Sequence, residues 1–211
     1  MQVETVIVGE FAVNSVVLWA EHSREAWVVD PGADAKAIVQ VLARYELQVE
    51  RYICTHGHID HISALDDLLA SHPAPVWMHA LDAKWAFTSI NRLPPAYMQA
   101  PHQPAHLQSS FQDGEKISGS GLEARMLATP GHSPGSICLY FPAKPVLLSG
   151  DTLFAGSVGR TDLPGSSWKQ IQASLKQLLR LPDDTAVICG HGPLTSIGQE
   201  RQSNPYLQEL G

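Results

Sequence analysis

Thr55–His61 reads THGHIDH, three imidazoles and one carboxylate in a single short segment directly after the apolar run Tyr52–Cys54. A lone histidine says little, because the residue serves equally in cores, caps and surfaces. Four ligand-type side chains packed together are hard to explain by packing. His56 and His58 are two apart and point to the same side of an extended segment, while Asp60 and His61 begin the turn that follows. One segment can therefore feed two adjacent metal ions.

Three further candidates share that local setting. His132 follows an apolar run and Pro130-Gly131, Asp151 follows VLLSG, and His191 follows AVICG. Each lies just past a strand-like run, where α/β sheets gather their sites, and the glycines permit sharp turns and close backbone approach. The expected metal ligands are thus His56, His58, Asp60, His61, His132, Asp151 and His191, with Asp60 and Asp151 the carboxylates of the catalytic centre. Imidazole and carboxylate without thiolate suit zinc, iron or manganese. Zinc is the first expectation. Two divalent ions outweigh two carboxylates and a hydroxide, and such a centre activates water and polarises a carbonyl. Asp30, in VVDPG, also follows a strand-like run; it either bonds an imidazole or amide behind the ligands or simply forms the turn.

Around these residues, strand-like runs span Val3–Val8, Val13–Trp19, Ala26–Val29, Val76–Met78, Glu123–Ala128, Ile137–Phe141, Val146–Leu148 and Ala186–Cys189. Helical patterns cover Ala35–Tyr45, Ala64–Ser71 and Trp168–Leu179, the last opened by Ser166 or Ser167 as a cap. Early strands come as hairpin-like neighbours and later ones alternate with helices. The fold class is therefore α/β, with two mixed β-sheets flanked by helices rather than one doubly wound parallel sheet. The proline-rich stretch Asn91–His106 reads as a long loop of the kind that covers a site. The 211 residues are expected to form a single hydrolase domain, and they can bury a core without help from a metal.

Composition narrows the partners. With 21 Asp and Glu against 14 Lys and Arg, and no basic cluster, nucleic acid is not expected. No apolar run approaches the ~18 residues of a membrane span, and the N-terminus lacks the basic start of a signal peptide. We expect a cytoplasmic protein with neither nucleic acid nor membrane as partner. Cys54, Cys138 and Cys189 are odd in number and lie in or beside apolar runs, which reads as reduced core cysteine. The rival reading makes Cys54 or Cys189 a metal ligand. His22, His72, His79, His102 and His106 lack ligand-type neighbours and read as surface or structural residues, the last two lining the loop.

Gly131–Gly135, GHSPG, matches the G-x-S-x-G pattern of serine hydrolases, and Asp151 and His191 follow in the matching order. A nucleophile elbow needs a helix after the serine, whereas SICLYFP is a strand sequence ending in proline. The metal reading is preferred.

The order THGHIDH, then GH at 131–132, GD at 150–151 and GH at 190–191, resembles the metallo-β-lactamase superfamily. GDTLFAGSVGRTDLPG (150–165) and GHGPLTSIGQERQSNPYL (190–207) resemble its short glyoxalase II-like branch, the hydroxyacylglutathione hydrolases. The resemblance implies a four-layer αβ/βα sandwich and hydrolysis of an S-(2-hydroxyacyl)glutathione thioester, such as S-lactoylglutathione, to the hydroxy acid and glutathione. It implies His56, His58 and His132 on one metal ion, Asp60, His61 and His191 on the other, and Asp151 bridging. Asp30 takes the place of the family's first-motif aspartate. Arg160 stands where longer glyoxalase II enzymes have a substrate-contacting basic residue; it either binds substrate or pairs with Asp162. Those longer enzymes bind glutathione partly through a C-terminal helical domain, which leaves this chain's glutathione contacts open. The rivals are a persulfide dioxygenase using one iron, a lactone or β-lactam hydrolase, and, in another class, a metal-stabilised binding module. Seven candidate ligands exceed the four of a closed structural site.

Overall fold

The structure, a computed structural model, describes residues 1–208. It contains two compact units, one made of Met1–Ser110 with Ser118–Leu122, the other of Phe111–Ile117 with the chain from Glu123 onward.

The first unit holds β1 (Gln2–Val8), β2 (Val13–Trp19), β3 (Glu25–Val29), α1 (Ala35–Arg44), β4 (Gln48–Ile53), α2 (Leu65–Ser71), β5 (Val76–Trp77), α3 (Ala80–Ala86) and β6 (Leu107–Gln108). Its sheet runs in chain order from β1 to β6. β1, β2 and β3 pair antiparallel, whereas β3 through β6 pair parallel. The mixture follows from the connections, since tight turns join the first three strands and α1 and α2 supply the crossovers that parallel neighbours need. Alternate residues of the strands, Val28, Tyr52 and Val76, pack with Ile38, Leu42, Leu65 and Leu68 of the helices into one core. On the opposite side-chain parity the Arg51 guanidinium lies over the rings of Trp27 and Trp77, at 4.8 and 4.4 Å from their centroids, which keeps a buried charge in favourable contact. Asn91–His106 carries neither helix nor extended strand, apart from one bridge between Leu93 and Tyr97.

The second unit comprises β7 (Lys116–Gly119), β8 (Leu122–Ala128), β9 (Ile137–Phe141), β10 (Val146–Gly150), β11 (Leu153–Phe154), β12 (Ser157–Val158), α4 (Trp168–Leu178), β13 (Ala186–Cys189), β14 (Thr195–Ser196), α5 (Ile197–Ser203) and α6 (Pro205–Gln208). The sheet order is β14-β13-β10-β9-β8-β7, and β11 and β12 form a separate ribbon. β10 and β13 are parallel; β8–β9, β9–β10 and β13–β14 are antiparallel. α4 lays Ile171, Leu175 and Leu178 onto Cys138, Leu147, Val187 and Cys189. That i, i+4, i+7 stripe is what makes the segment helical in context, and each large apolar side chain so buried stabilises by about 1.5–3 kcal/mol. Ser167 caps the helix by accepting from the Gln170 N–H.

Both sheets are mixed and carry helices, as the hairpin-then-alternation pattern implies. The sequence reading leaves out β6, β7, β11, β12, β14 and the short helices α3, α5 and α6, none longer than seven residues.

Candidate metal centre

In the first unit the parallel neighbours β3 and β4 end side by side, with Val29 paired to Ile53. The chain enters the site just past them, at Asp30 after β3 and at Thr55 two residues after β4. The Asp30 N–H donates to the Ile53 carbonyl, and Asp30 then turns with φ 49°, a left-handed conformation that aspartate tolerates better than most residues. The turn aims its buried carboxylate at Thr55 and His61. Oδ1 accepts the Thr55 N–H at 2.7 Å, and Oδ2 accepts the Thr55 hydroxyl at 2.7 Å and the His61 Nδ1–H at 3.0 Å. Having given its one hydrogen to Asp30, the Thr55 hydroxyl can only accept from His56 Nδ1, 3.1 Å away. Asp30 therefore fixes the tautomer of two histidines, one directly and one through Thr55. In both rings Nδ1 carries the hydrogen and Nε2 the lone pair, which is how imidazole is prepared for a metal. His61 Nε2 lies 3.8 Å from Asp60 Oδ2. The His56 ring centroid is 4.8 Å from that of His58 and 4.2 Å from that of His61. Ligand atoms of His56 and His58, of His56 and His61, and of Asp60 and His61 lie within 4.8 Å of each other.

Gly57, between two of these histidines, is clamped by residues that the sequence reading did not single out. Its N–H donates to Asp82 Oδ2 at 2.8 Å, and its carbonyl accepts from Asn91 Nδ2 at 2.8 Å. Asn91 also donates to the Ala86 carbonyl at 2.7 Å, which orients its amide. A Cβ on Gly57 would stand 3.0–3.1 Å from Ala86 Cβ, Asp82 Cβ and Trp85 Cη2, so α3 presses directly on the ligand segment. The Trp85 ring packs 5.4 Å from His58.

The second unit gathers its candidate ligands by the same means. Gly150 pairs with Cys189 across parallel β10 and β13, and the Gly190 N–H donates to the Gly150 carbonyl, so Asp151 and His191 emerge side by side. His191 Nε2 is 3.5 Å from Asp151 Oδ2. β8 runs in the same direction as β10, being antiparallel to β9 as β10 is, and it delivers His132 past the same sheet edge. Gly131 takes φ 142° with α4 packed on it, and Ser167 and Ser174 of that region bond the Gly131 and Pro130 carbonyls. Only glycine fits there. His132 Nδ1 donates to the Arg160 carbonyl at 3.0 Å, which again leaves the lone pair on Nε2, 3.4 Å from Asp151 Oδ2. Asp151 thus stands between two imidazoles.

The Arg160 side chain is exposed and forms two 2.7 Å bonds to the Asp162 carboxylate. Those bonds hold the Asp162 carboxyl at about 2, well below its ordinary 3.8. Ser133 bonds Ser136, and the chain continues into β9 without a helix, so the serine-hydrolase pattern lacks its elbow. Burial pushes the Cys189 thiol up to about 11 and, with Asp30 nearby, drives Cys54 well above the ordinary range. All three cysteines are buried and none forms a disulfide, in keeping with core thiols rather than thiolate ligands. Of the remaining histidines, His79 caps α3 and His102 pairs with Asp66 at 2.9 Å on the surface.

The sequence matches the Metallo-beta-lactamase superfamily over residues 8–191, a span that includes every candidate ligand. The chain belongs to that superfamily. Metallo-β-lactamase superfamily members are mostly metal-dependent hydrolases, and the His/Asp groups are compatible with a metal site. The chain is 40% identical to an uncharacterized protein of Aquifex aeolicus, covering all of this chain and 99% of that protein. It is 33% identical to the hydroxyacylglutathione hydrolase GloC of Haemophilus influenzae, covering 98% of both. Among solved structures, the BLEG-1 B3 metallo-beta-lactamase superposes with TM-score 0.89 at 36% identity, covering 98% of this chain and 99% of that one. TTHA1623 in a di-iron-bound form superposes at 0.84 with 33% identity, covering 97% and 100%. The fold is the metallo-β-lactamase fold, with its two mixed sheets and helices. Among the described residues no helix is long and apolar enough to cross a membrane.

Proposed function

We propose that this metallo-β-lactamase superfamily protein hydrolyses thioesters of the S-(2-hydroxyacyl)glutathione class, S-lactoylglutathione among them, to the 2-hydroxy acid and glutathione. Two divalent ions would be held, one by His56, His58 and His132 and the other by Asp60, His61 and His191, with Asp151 shared between them. The observation that carries this reading is the protonation pattern: His56, His61 and His132 each spend Nδ1–H on an acceptor behind them, so each offers an Nε2 lone pair. Two of those Nε2 atoms face a carboxylate, an arrangement that a cation between them would stabilise. Zinc suits these donors, and iron or manganese are compatible; the di-iron form of TTHA1623 supports iron.

Metal ions held there would supply Lewis-acid polarisation of the thioester carbonyl and an activated water. The protein's part is to keep three imidazoles in the ligating tautomer, to place Asp60 and Asp151 beside them, and to hold His132 through the Arg160 backbone. A thiol of pKa about 8.5 departs as its anion without a proton donor. The similarity to GloC along the whole chain supports the acyl-glutathione substrate.

The test joins metal analysis of the purified protein with turnover of S-lactoylglutathione. Asp151→Ala should lose the ions and the thioesterase activity together; wild-type turnover with unchanged metal content would refute the bridging role. A second reading, β-lactam hydrolysis, is favoured by the likeness to BLEG-1. It prevails if a β-lactam is turned over with a higher kcat/KM than the thioester.

A further inference from the structure

Asp82 is fully buried, and the proposed chemistry does not use it. Burying a carboxylate is costly unless the groups around it compensate, and here the compensation includes the peptide N–H between two candidate ligands. Gly57 is gripped on both faces of its backbone: Asp82 takes the N–H, Asn91 takes the carbonyl, and Asn91's other hydrogen ties that grip to the end of α3. The side chains touching Gly57 from α3, Asp82, Trp85 and Ala86, follow the i, i+3, i+4 spacing of one helix face. The same face brings the Trp85 ring against His58. Fixing both peptide planes of Gly57 fixes the offset between His56 and His58, whose rings stand edge-on, 85° apart. Asp60 and His61 are held otherwise, by a single 3-10 turn over Ile59–His61 and by Asp30.

We propose that Asp82, with Asn91, is a positioning residue that sets the spacing of His56 and His58 and so governs the affinity of one of the two metal sites, leaving the Asp60–His61 site largely untouched. The inference rests on the two-ion reading above. It reaches beyond it in giving the His56–His58 pair a support from α3 that Asp60 and His61 lack, whereas Asp30 serves His56 and His61 alike.

The test uses the full chain, stripped of metal and titrated with zinc alone against a chromophoric chelator, so that two successive affinities are read without substrate. Asp82→Asn keeps an oxygen that can accept from Gly57 but removes the charge and one acceptor. It should weaken one site by about 10- to 100-fold, leave the other within about threefold, and leave the melting temperature of the metal-free protein nearly unchanged. Asn91→Ala should reproduce the one-sited loss. Two wild-type affinities in Asp82→Asn would overturn the inference alone. So would an equal fall at both sites that tracks a lower melting temperature of the metal-free protein, since that is the signature of a merely structural residue. Wild-type protein that binds one zinc ion or none would overturn the two-ion reading and this inference with it.

Discussion

Replacing Asp30 with asparagine changes one atom and should disturb two metal ligands. The backbone is not at issue, because asparagine is at least as tolerant as aspartate of the left-handed conformation at φ 49°. The conflict lies in the hydrogens. Asp30 accepts three, from the Thr55 N–H, the Thr55 hydroxyl and His61 Nδ1. An amide offers one accepting oxygen and one donating nitrogen. If the oxygen stays on the Thr55 N–H, the amide nitrogen faces the Thr55 hydroxyl and His61. His61 then has to move its hydrogen to Nε2, and the Thr55 hydroxyl, now accepting, turns its own hydrogen toward His56 Nδ1. Both rings end in the wrong tautomer. If the amide flips, two buried donors meet at Thr55 instead.

Either outcome costs the metal-free protein about 1–3 kcal/mol, a fall in Tm of about 3–10 °C for a chain of this size. Metal affinity should drop about 10- to 100-fold for each disturbed ligand, or about 1.4–2.8 kcal/mol each. The assay pairs chelator competition with imidazole ¹⁵N shifts of the metal-free protein, which distinguish Nδ1–H from Nε2–H. If His56 and His61 keep their hydrogen on Nδ1 and affinity stays within twofold of wild type, the tautomer argument fails.

Chelation should lower the melting temperature, since ions bound only to the native state at a hundredfold excess over Kd stabilise it by about 2.7 kcal/mol per site; superimposable melts with and without chelator would contradict a preformed site. Gly57→Ala should destabilise by about 1–3 kcal/mol through overpacking, because its methyl would meet Ala86, Asp82 and Trp85 at 3.0–3.1 Å; an unchanged melt of the metal-free variant would show that α3 yields easily. The Asp162 carboxyl should titrate near 2 in a carboxyl ¹³C experiment and return toward 3.8 in Arg160→Ala. Its folded value is the depressed one, so the stability from this pair is present above about pH 4 and is lost as the pH falls toward 2. A midpoint that ignores the arginine would mean that the pair is not formed in solution.

The legible parts of the fold are those where burial leaves little choice of residue. β2, β9 and β10 are buried at every position and read as mainly apolar runs, interrupted only by Asn14 and Ser15 in β2 and by Ser149 and the final Gly150 in β10. Edge strands such as β6 and β14 are two residues long, and α3, ALDAKWA, is too short for a helical period to emerge. The candidate ligands were legible because metal chemistry admits few residue types, and because three of them follow glycines at or just past strand ends. Asp82 and Asn91 were not. Each acts on a backbone group 25 or 34 residues away, and a polar residue with a distant peptide partner looks in sequence like any solvent-facing one. Arg160 shows the limit most plainly. Two side-chain roles were open, substrate contact and the Asp162 pair. The structure forms the pair, and it also uses the Arg160 carbonyl to hold His132, a role that no side-chain reasoning could reach.

Asp30 and Asp151 occupy the same architectural place and do opposite chemistry. Each follows the last residue of a strand with a parallel neighbour, β3 beside β4 and β10 beside β13, and each turns with the help of a positive φ, at Asp30 itself or at Gly150. Asp30 lies behind its imidazoles and accepts the Nδ1 hydrogen of His61, whereas Asp151 lies in front of His132 and His191 and faces their Nε2 atoms. What separates them is the hydrogen supply: Thr55 brings two donors to the Asp30 carboxylate and His61 a third, committing it to hydrogen bonds. Variants should therefore diverge in kind. Asp30 substitutions should change the protonation of rings that remain in place, and a fraction of metal binding should survive; loss of Asp151 removes a carboxylate that two rings face, for which no tautomer shift compensates.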